Sequence, residues 1–219
     1  MKSTGRLGPV VLCSIALFHP AVAWTHSAHE HRAKAPADGT AGASGEVRVA
    51  PADLRIPPLP LVNQDGTTGM AGTDWIGDRI VVVDFIFTTC PLVCPLLSAV
   101  MADVQDRLGD AAGDEVRLIS ISVDPVTDVP RRLKEYAERY GAGPGWIFLT
   151  GEKPDVDKVL RSFGAYAPDF GDHPPMFLVG DAREGRWTRV FGIPAPERIV
   201  SMVREYRSAR AAARSGRAK

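Results

Sequence analysis

The chain has 219 residues, 26 basic and 26 acidic side chains and no formal net charge, with 45% hydrophobic residues. That is enough chain for one domain with its own core, and the balanced charge argues against nucleic-acid binding. Five histidines and three cysteines are few enough to follow one at a time.

Residues 1–23 open with Met1-Lys-Ser-Thr-Gly-Arg6, continue through an apolar core from Pro9 to Phe18 and close on Ala21-Val-Ala23. A basic start, a short apolar core and a small-x-small ending make a secretory signal peptide and imply an exported, periplasmic protein. Crossing a membrane takes roughly 18 or more apolar residues, and Pro9, His19 and Pro20 interrupt this run; an uncleaved membrane anchor is the alternative reading. Cys13 lies in the apolar core and is expected to leave with the signal. Residues 24–50, rich in Ala, Gly, Ser and His, read as a flexible linker. Cleavage after Ala23 would leave His26 third in the mature chain, where the terminal amine, two backbone amides and the imidazole can surround Cu(II) in a square plane. His29 and His31 would add weaker sites; a polar linker with incidental histidines is the plainer alternative.

Residues 51–206 carry the folded domain. Asp65-Gly66 signals a hairpin turn, and the hydrophobic run Arg79–Phe87 reads as a buried strand. Apolar positions 96, 97, 100, 101, 104 and 108 fit a helix that Gly109 ends. Glu115–Val123 is the next strand, followed by a helix with Asp128 as N-cap and Pro130 in its first turn, stopping at Gly141. Trp146–Leu149 is a short strand, and Val156, Val159, Leu160 and Phe163 mark one face of another helix. Pro175–Gly180 and Arg186–Phe191 form a hairpin, and a last helix runs from about Pro196 past Tyr206. Residues 207–219 carry Arg207, Arg210, Arg214, Arg217 and Lys219 without an acid. They read as a solvated, fraying helix end, with a tail touching a nearby membrane as the alternative. The alternation predicts an α/β protein, a thioredoxin-like sandwich with an added N-terminal hairpin.

Cys90 and Cys94 stand in Phe87-Thr-Thr-Cys-Pro-Leu-Val-Cys-Pro95, between the buried strand and its helix. A thiolate there faces free backbone N–H groups and the positive end of the helix dipole. The i, i+4 spacing lets both sulfurs face one side, so they can close a disulfide or converge on a soft metal ion. His173, in Asp172-His-Pro-Pro-Met176, is the only histidine of the domain and precedes a strand that can lie beside the first. Two thiolates and an imidazole suit Cu(I), whereas structural zinc asks for four protein ligands. In an oxidising compartment an idle pair tends to become a disulfide, so a metal-carrying pair needs a thiol reductant. The competing reading is a thiol–disulfide oxidoreductase in which Cys90 attacks and Cys94 resolves, with no obligatory copper. A peroxiredoxin-type peroxidase is disfavoured, because Phe87 stands where that chemistry places a threonine. Asp172 is a weak candidate to orient His173, and Asp124-Pro125 reads as a strand-end turn.

Thr88-Thr-Cys-Pro-Leu-Val-Cys-Pro95, Ser122-Val-Asp-Pro125, Trp146-Ile-Phe-Leu-Thr-Gly151 and Asp172-His173 resemble, in order and spacing, the Sco/SenC family of copper-binding proteins, over roughly residues 55–203. The resemblance implies a thioredoxin-like fold that binds copper, as Cu(I) or Cu(II), through Cys90, Cys94 and His173. It also implies a role in delivering copper to, or reducing the cysteines of, the dinuclear copper site of cytochrome c oxidase subunit II. Many members are tethered by a membrane helix, whereas this leader looks cleavable, and Pro174-Pro175 follow His173 in place of a more ordinary polar residue.

Overall fold

The computed structural model describes residues 46–217. The signal, Cys13 and the histidines of the linker lie outside the described residues. In chain order the elements are β1 (Arg48–Ala52), β2 (Pro60–Asn63), β3 (Thr68–Met70), β4 (Ile80–Ile86), α1 (Val93–Leu108), the single turn α2 (Ala111–Asp114), β5 (Val116–Ser122), α3 (Pro130–Arg139), β6 (Trp146–Thr150), α4 (Lys153–Phe163), β7 (Met176–Asp181), β8 (Arg186–Phe191) and α5 (Pro196–Arg217). Residues 48–50, expected to close the linker, instead begin β1, because their backbone pairs with β8 from Arg48↔Phe191 to Ala52↔Trp187.

Among the described residues the eight strands form one sheet in the order β1-β8-β7-β4-β5-β6-β2-β3. β4, β5 and β6 run parallel, as strands joined by crossover helices must. β7 returns antiparallel on β4 and pairs with β8 in the expected hairpin. At the far side β2 and β3 form the added N-terminal hairpin around Asp65-Gly66. The predicted thioredoxin-like sandwich is therefore present.

β4 is buried along its whole length, and its residues divide by the two-residue period of a strand. Ile80, Val82 and Ile86 pack toward α1, α3 and α5, and Val81, Val83 and Phe85 toward α4. Each fully buried side chain of this size contributes about 1.5–3 kcal/mol, which fixes the register. α1 stops at Gly109, whose φ of 52° lies in the region glycine tolerates best.

Two arginines expected in a solvated tail belong to the folded body. Arg210 pairs with Asp181, a wholly buried carboxylate at the end of β7, and donates to the Asp78 carbonyl at 2.9 Å. Arg207 reaches Glu115 at 2.8 Å. Asp181 cannot stay buried and charged without a partner, so α5 continues far enough to bring one. Among the described residues no helix is long and apolar enough to cross a membrane.

Candidate metal centre

After Ile86 the chain turns through the cysteine loop into α1 at the carboxyl ends of the parallel strands, where open α/β sheets place their ligands. No residue caps α1 from position 92 with its side chain. The Cys90 sulfur does so instead, accepting the Cys94 N–H at 3.3 Å. Burial pushes the Cys90 thiol up, but the amides of Cys94, Leu92 and Val93 and the Cys94 thiol outweigh it and hold the group below its ordinary value. Cys94 is wholly buried. That burial, its bond to Cys90 and the nearby negative charge of Cys90 and Asp84 push its thiol far up. The pair is thus divided into one accessible sulfur inclined to ionise and one sealed sulfur that keeps its proton.

Asp128 fixes the approach to the pair. Its carboxylate accepts the Thr88 N–H at 3.1 Å, the Thr88 hydroxyl at 2.5 Å and the Ser122 hydroxyl at 2.7 Å. It is not the N-cap of α3, which begins after Val129 without any side-chain cap. Three donors from β5 and the cysteine loop turn the carboxylate inward. Burial raises its pKa, and the bonds from Thr88 and Ser122 only partly oppose that.

His173 is 7% exposed. Its ring meets Phe87 edge-on at 5.9 Å, and the Phe87 carbonyl accepts the Cys90 N–H at 3.2 Å. His173 Nδ1 is buried with no hydrogen-bond partner. Burial pushes the imidazole pKa down, with the Pro174 backbone pulling the other way, so the ring favours the neutral form. The cysteines are brought together, and the histidine packs on the Phe87 ring; among the described residues no three His, Cys, Asp or Glu side chains stand ready to hold an ion. Asp172 is exposed and does not bond Nδ1. Asp124 accepts the Thr127 N–H at 3.3 Å within the strand-end turn.

Sequence reasoning passed over Asp84. It interrupts the apolar run of β4 and is 0% exposed. Oδ1 accepts the Ser120 hydroxyl at 2.5 Å, Ser120 Oγ in turn accepts the Trp146 indole N–H at 2.9 Å, and Oδ2 has no partner. Burial, partly opposed by the Ser120 bond, pushes its pKa up to about 7. The available signal was the charge itself, a lone acid in a strand with no polar face.

The SCO1/SenC family model matches residues 51–209, covering both cysteines and His173. The chain belongs to that family. A SCO1 protein homolog of Bacillus subtilis is 36% identical over 118 residues, 52% of this chain and 60% of that one. The chain therefore covers less than two thirds of that relative's length. The structure of Bradyrhizobium japonicum ScoI with copper bound is 28% identical, with a TM-score of 0.58 over 69% of this chain and 99% of that one. BsSco, described as a member of the Sco family of cytochrome c oxidase assembly proteins with a disulfide switch, is 31% identical, with a TM-score of 0.59 over 72% of this chain and 95% of that one. Within the SCO1/SenC family, then, similar chains have been solved both with copper and with attention to a disulfide.

Proposed function

We propose that this protein is an exported copper carrier in the assembly of cytochrome c oxidase, with copper as its cargo and Cys90, Cys94 and His173 as the ligands. Its acceptor is the dinuclear copper site of subunit II, to which it delivers the ion or whose cysteines it reduces. The observation that carries this reading is the buried, unpartnered Nδ1 of His173, packed on the same Phe87 whose carbonyl holds Cys90. A buried polar nitrogen ordinarily has a partner. Two thiolates and a neutral imidazole form a donor set that favours a soft ion of low coordination number, as copper is in its reduced state. The copper-bound relative and the oxidase-assembly description of BsSco support the same reading.

The residues divide the work. Cys90, accessible and inclined to ionise, meets the ion first. Cys94 gives up its proton only when something replaces it, so ligand gain and proton loss are coupled. Asp128 holds Thr88 and keeps the loop from drifting away from Phe87. A thiol reductant restores the pair between rounds.

One observation favours the thiol–disulfide oxidoreductase reading: the two cysteines are adjacent, while no third ligand stands ready beside them. In that chemistry the Cys90 thiolate attacks a partner disulfide and releases one partner thiolate. Cys94 then attacks the Cys90 sulfur and releases the second, so two electrons pass to the partner. An anaerobic Cu(I) titration of the reduced protein against a competing chelator separates the readings. One tight ion per chain, lost in a Cys90→Ala, Cys94→Ala double variant and greatly weakened in His173→Ala, supports the carrier. Unchanged affinity in His173→Ala leaves a dithiol alone and favours the oxidoreductase.

A further inference from the structure

At the amino ends of the parallel strands, on the side of the sheet away from the cysteine loop, the last turns of α5 bound a cavity of about 490 Å³. Arg204, Arg207, Ser208, Ala211 and Arg214 line it at three- and four-residue spacings, so one face of the helix presents them along about 15 Å. Ile80 at the start of β4, Glu115 ahead of β5 and Arg210 complete the lining. Two of the four guanidinium groups answer acids. Arg210 is taken up by the buried Asp181 and the Asp78 carbonyl, whereas Arg207 gives only its Nε–H to Glu115, at 2.8 Å. Arg204 and Arg214 are exposed and enter no hydrogen bond or ion pair among the described residues. Ala211 has no long side chain to fill the space between them.

We propose that this cavity binds a small soluble ligand that carries two or more phosphate groups. Charges of one sign gathered in a concave site repel one another and draw in the opposite ion. A guanidinium group offers parallel N–H donors that match the oxygens of a phosphate, and the Ser208 hydroxyl adds another donor on the same face. Arg207, fixed through its Nε–H, keeps its terminal N–H groups for such a ligand. The donors are strung along nearly three helical turns, an extent that suits a chain of phosphates better than one. Glu115, the single acid of the lining, is already held by Arg207 and limits how closely that wall receives an anion. A bilayer surface is the poorer match, because the donors surround a concavity and none of the exposed large hydrophobic residues borders it. The family match ends at residue 209, so Arg210, Ala211 and Arg214 lie beyond what the chain shares with the family model. The cavity contains none of Cys90, Cys94 and His173, and the proposal is independent of the copper reading.

Calorimetric titration with tripolyphosphate at fixed chloride concentration tests it, with copper-free protein so that the probe's affinity for metal ions plays no part. One tripolyphosphate per chain is expected. An Arg204→Gln, Arg214→Gln variant should bind it about tenfold or more weakly, since charge-assisted hydrogen bonds are lost. An Arg132→Gln, Arg198→Gln variant removes the same charge from exposed positions outside the cavity and should stay within about twofold of the parent. Thermal unfolding gives a second reading: tripolyphosphate raises the Tm of the parent and of the second variant, and leaves that of the first unchanged. Equal losses of affinity in the two variants, or no binding by the parent, overturn the proposal. So does a parent that ignores tripolyphosphate but sediments with phosphatidylglycerol vesicles through Arg204 and Arg214, which assigns these arginines to a lipid headgroup.

Discussion

Asp128 grips Thr88 twice, accepting its N–H at 3.1 Å and its hydroxyl at 2.5 Å, and so ties the turn before α3 to the residue two places ahead of Cys90. The same carboxylate accepts the Ser122 hydroxyl at the end of β5. Replacing it with alanine leaves three donors without their acceptor. Asp128→Ala is expected to cost about 2–4 kcal/mol in urea unfolding and to speed alkylation of Cys90. Thr88→Val, which removes only the hydroxyl arm, should cost about 1–2 kcal/mol. A variant as stable as the parent would mean the loop is held by something else.

The two thiols should label at very different rates. Cys90 is accessible and held below its ordinary pKa by helix N-terminal amides, while Cys94 is sealed and pushed up. Iodoacetamide at neutral pH is expected to modify Cys90 first by about a hundredfold or more, since only the thiolate reacts and only when reached. Peptide mapping by mass spectrometry reads the ratio, and comparable labelling of the two would contradict the division of roles.

Arg210→Met isolates the buried ion pair at the far edge. It leaves Asp181 buried without its cation, at an expected cost of about 3–5 kcal/mol near neutral pH. The Arg210 bonds hold the Asp181 pKa below the usual carboxylate range against the opposing effect of burial. The stability they supply is therefore present above the unfolded-state value and is lost as pH falls through the folded one. The gap between variant and parent should narrow in acid, as denaturation at the two pH values will reveal.

Asp84 has the opposite sign. Its folded pKa of about 7 lies above the ordinary value of 3.8. Between those values the folded protein keeps a proton that the unfolded chain has lost. Its contribution to stability thus falls as pH rises, by up to about 4 kcal/mol across the interval. Asp84→Asn should remove that slope, so that its stability relative to the parent increases from about pH 4.5 to about pH 8 in urea titrations. A pH-independent difference would show that Asp84 ionises normally.

Most of this architecture was legible in the sequence because it rests on periodicity. The β4 run, the α4 face at Val156, Val159, Leu160 and Phe163, and the β7–β8 hairpin need only local pattern and turn chemistry. What the pattern hid was tertiary choice. Asp128 stands where an N-cap belongs and has the right chemistry for one, but donors from Thr88 and Ser122, remote in sequence or strand, compete for it and win. Leu96 fits the apolar stripe of α1, yet it is 49% exposed, because that first turn projects at the open edge of the sheet. Arg210 reads as a tail residue until β7 delivers Asp181 beside it. The cysteine pair was legible from its spacing. That His173 packs on Phe87 depends on how β7 pairs with β4, which no local signal encodes.

The central claim is the ligand set, and X-ray absorption at the copper edge tests it most directly. Protein loaded with one equivalent of Cu(I) is expected to show two sulfur scatterers and one imidazole, and His173→Ala to keep the sulfurs and lose the imidazole. A His173→Ala spectrum indistinguishable from that of the parent would contradict the claim and leave Cys90 and Cys94 as a dithiol without its third ligand.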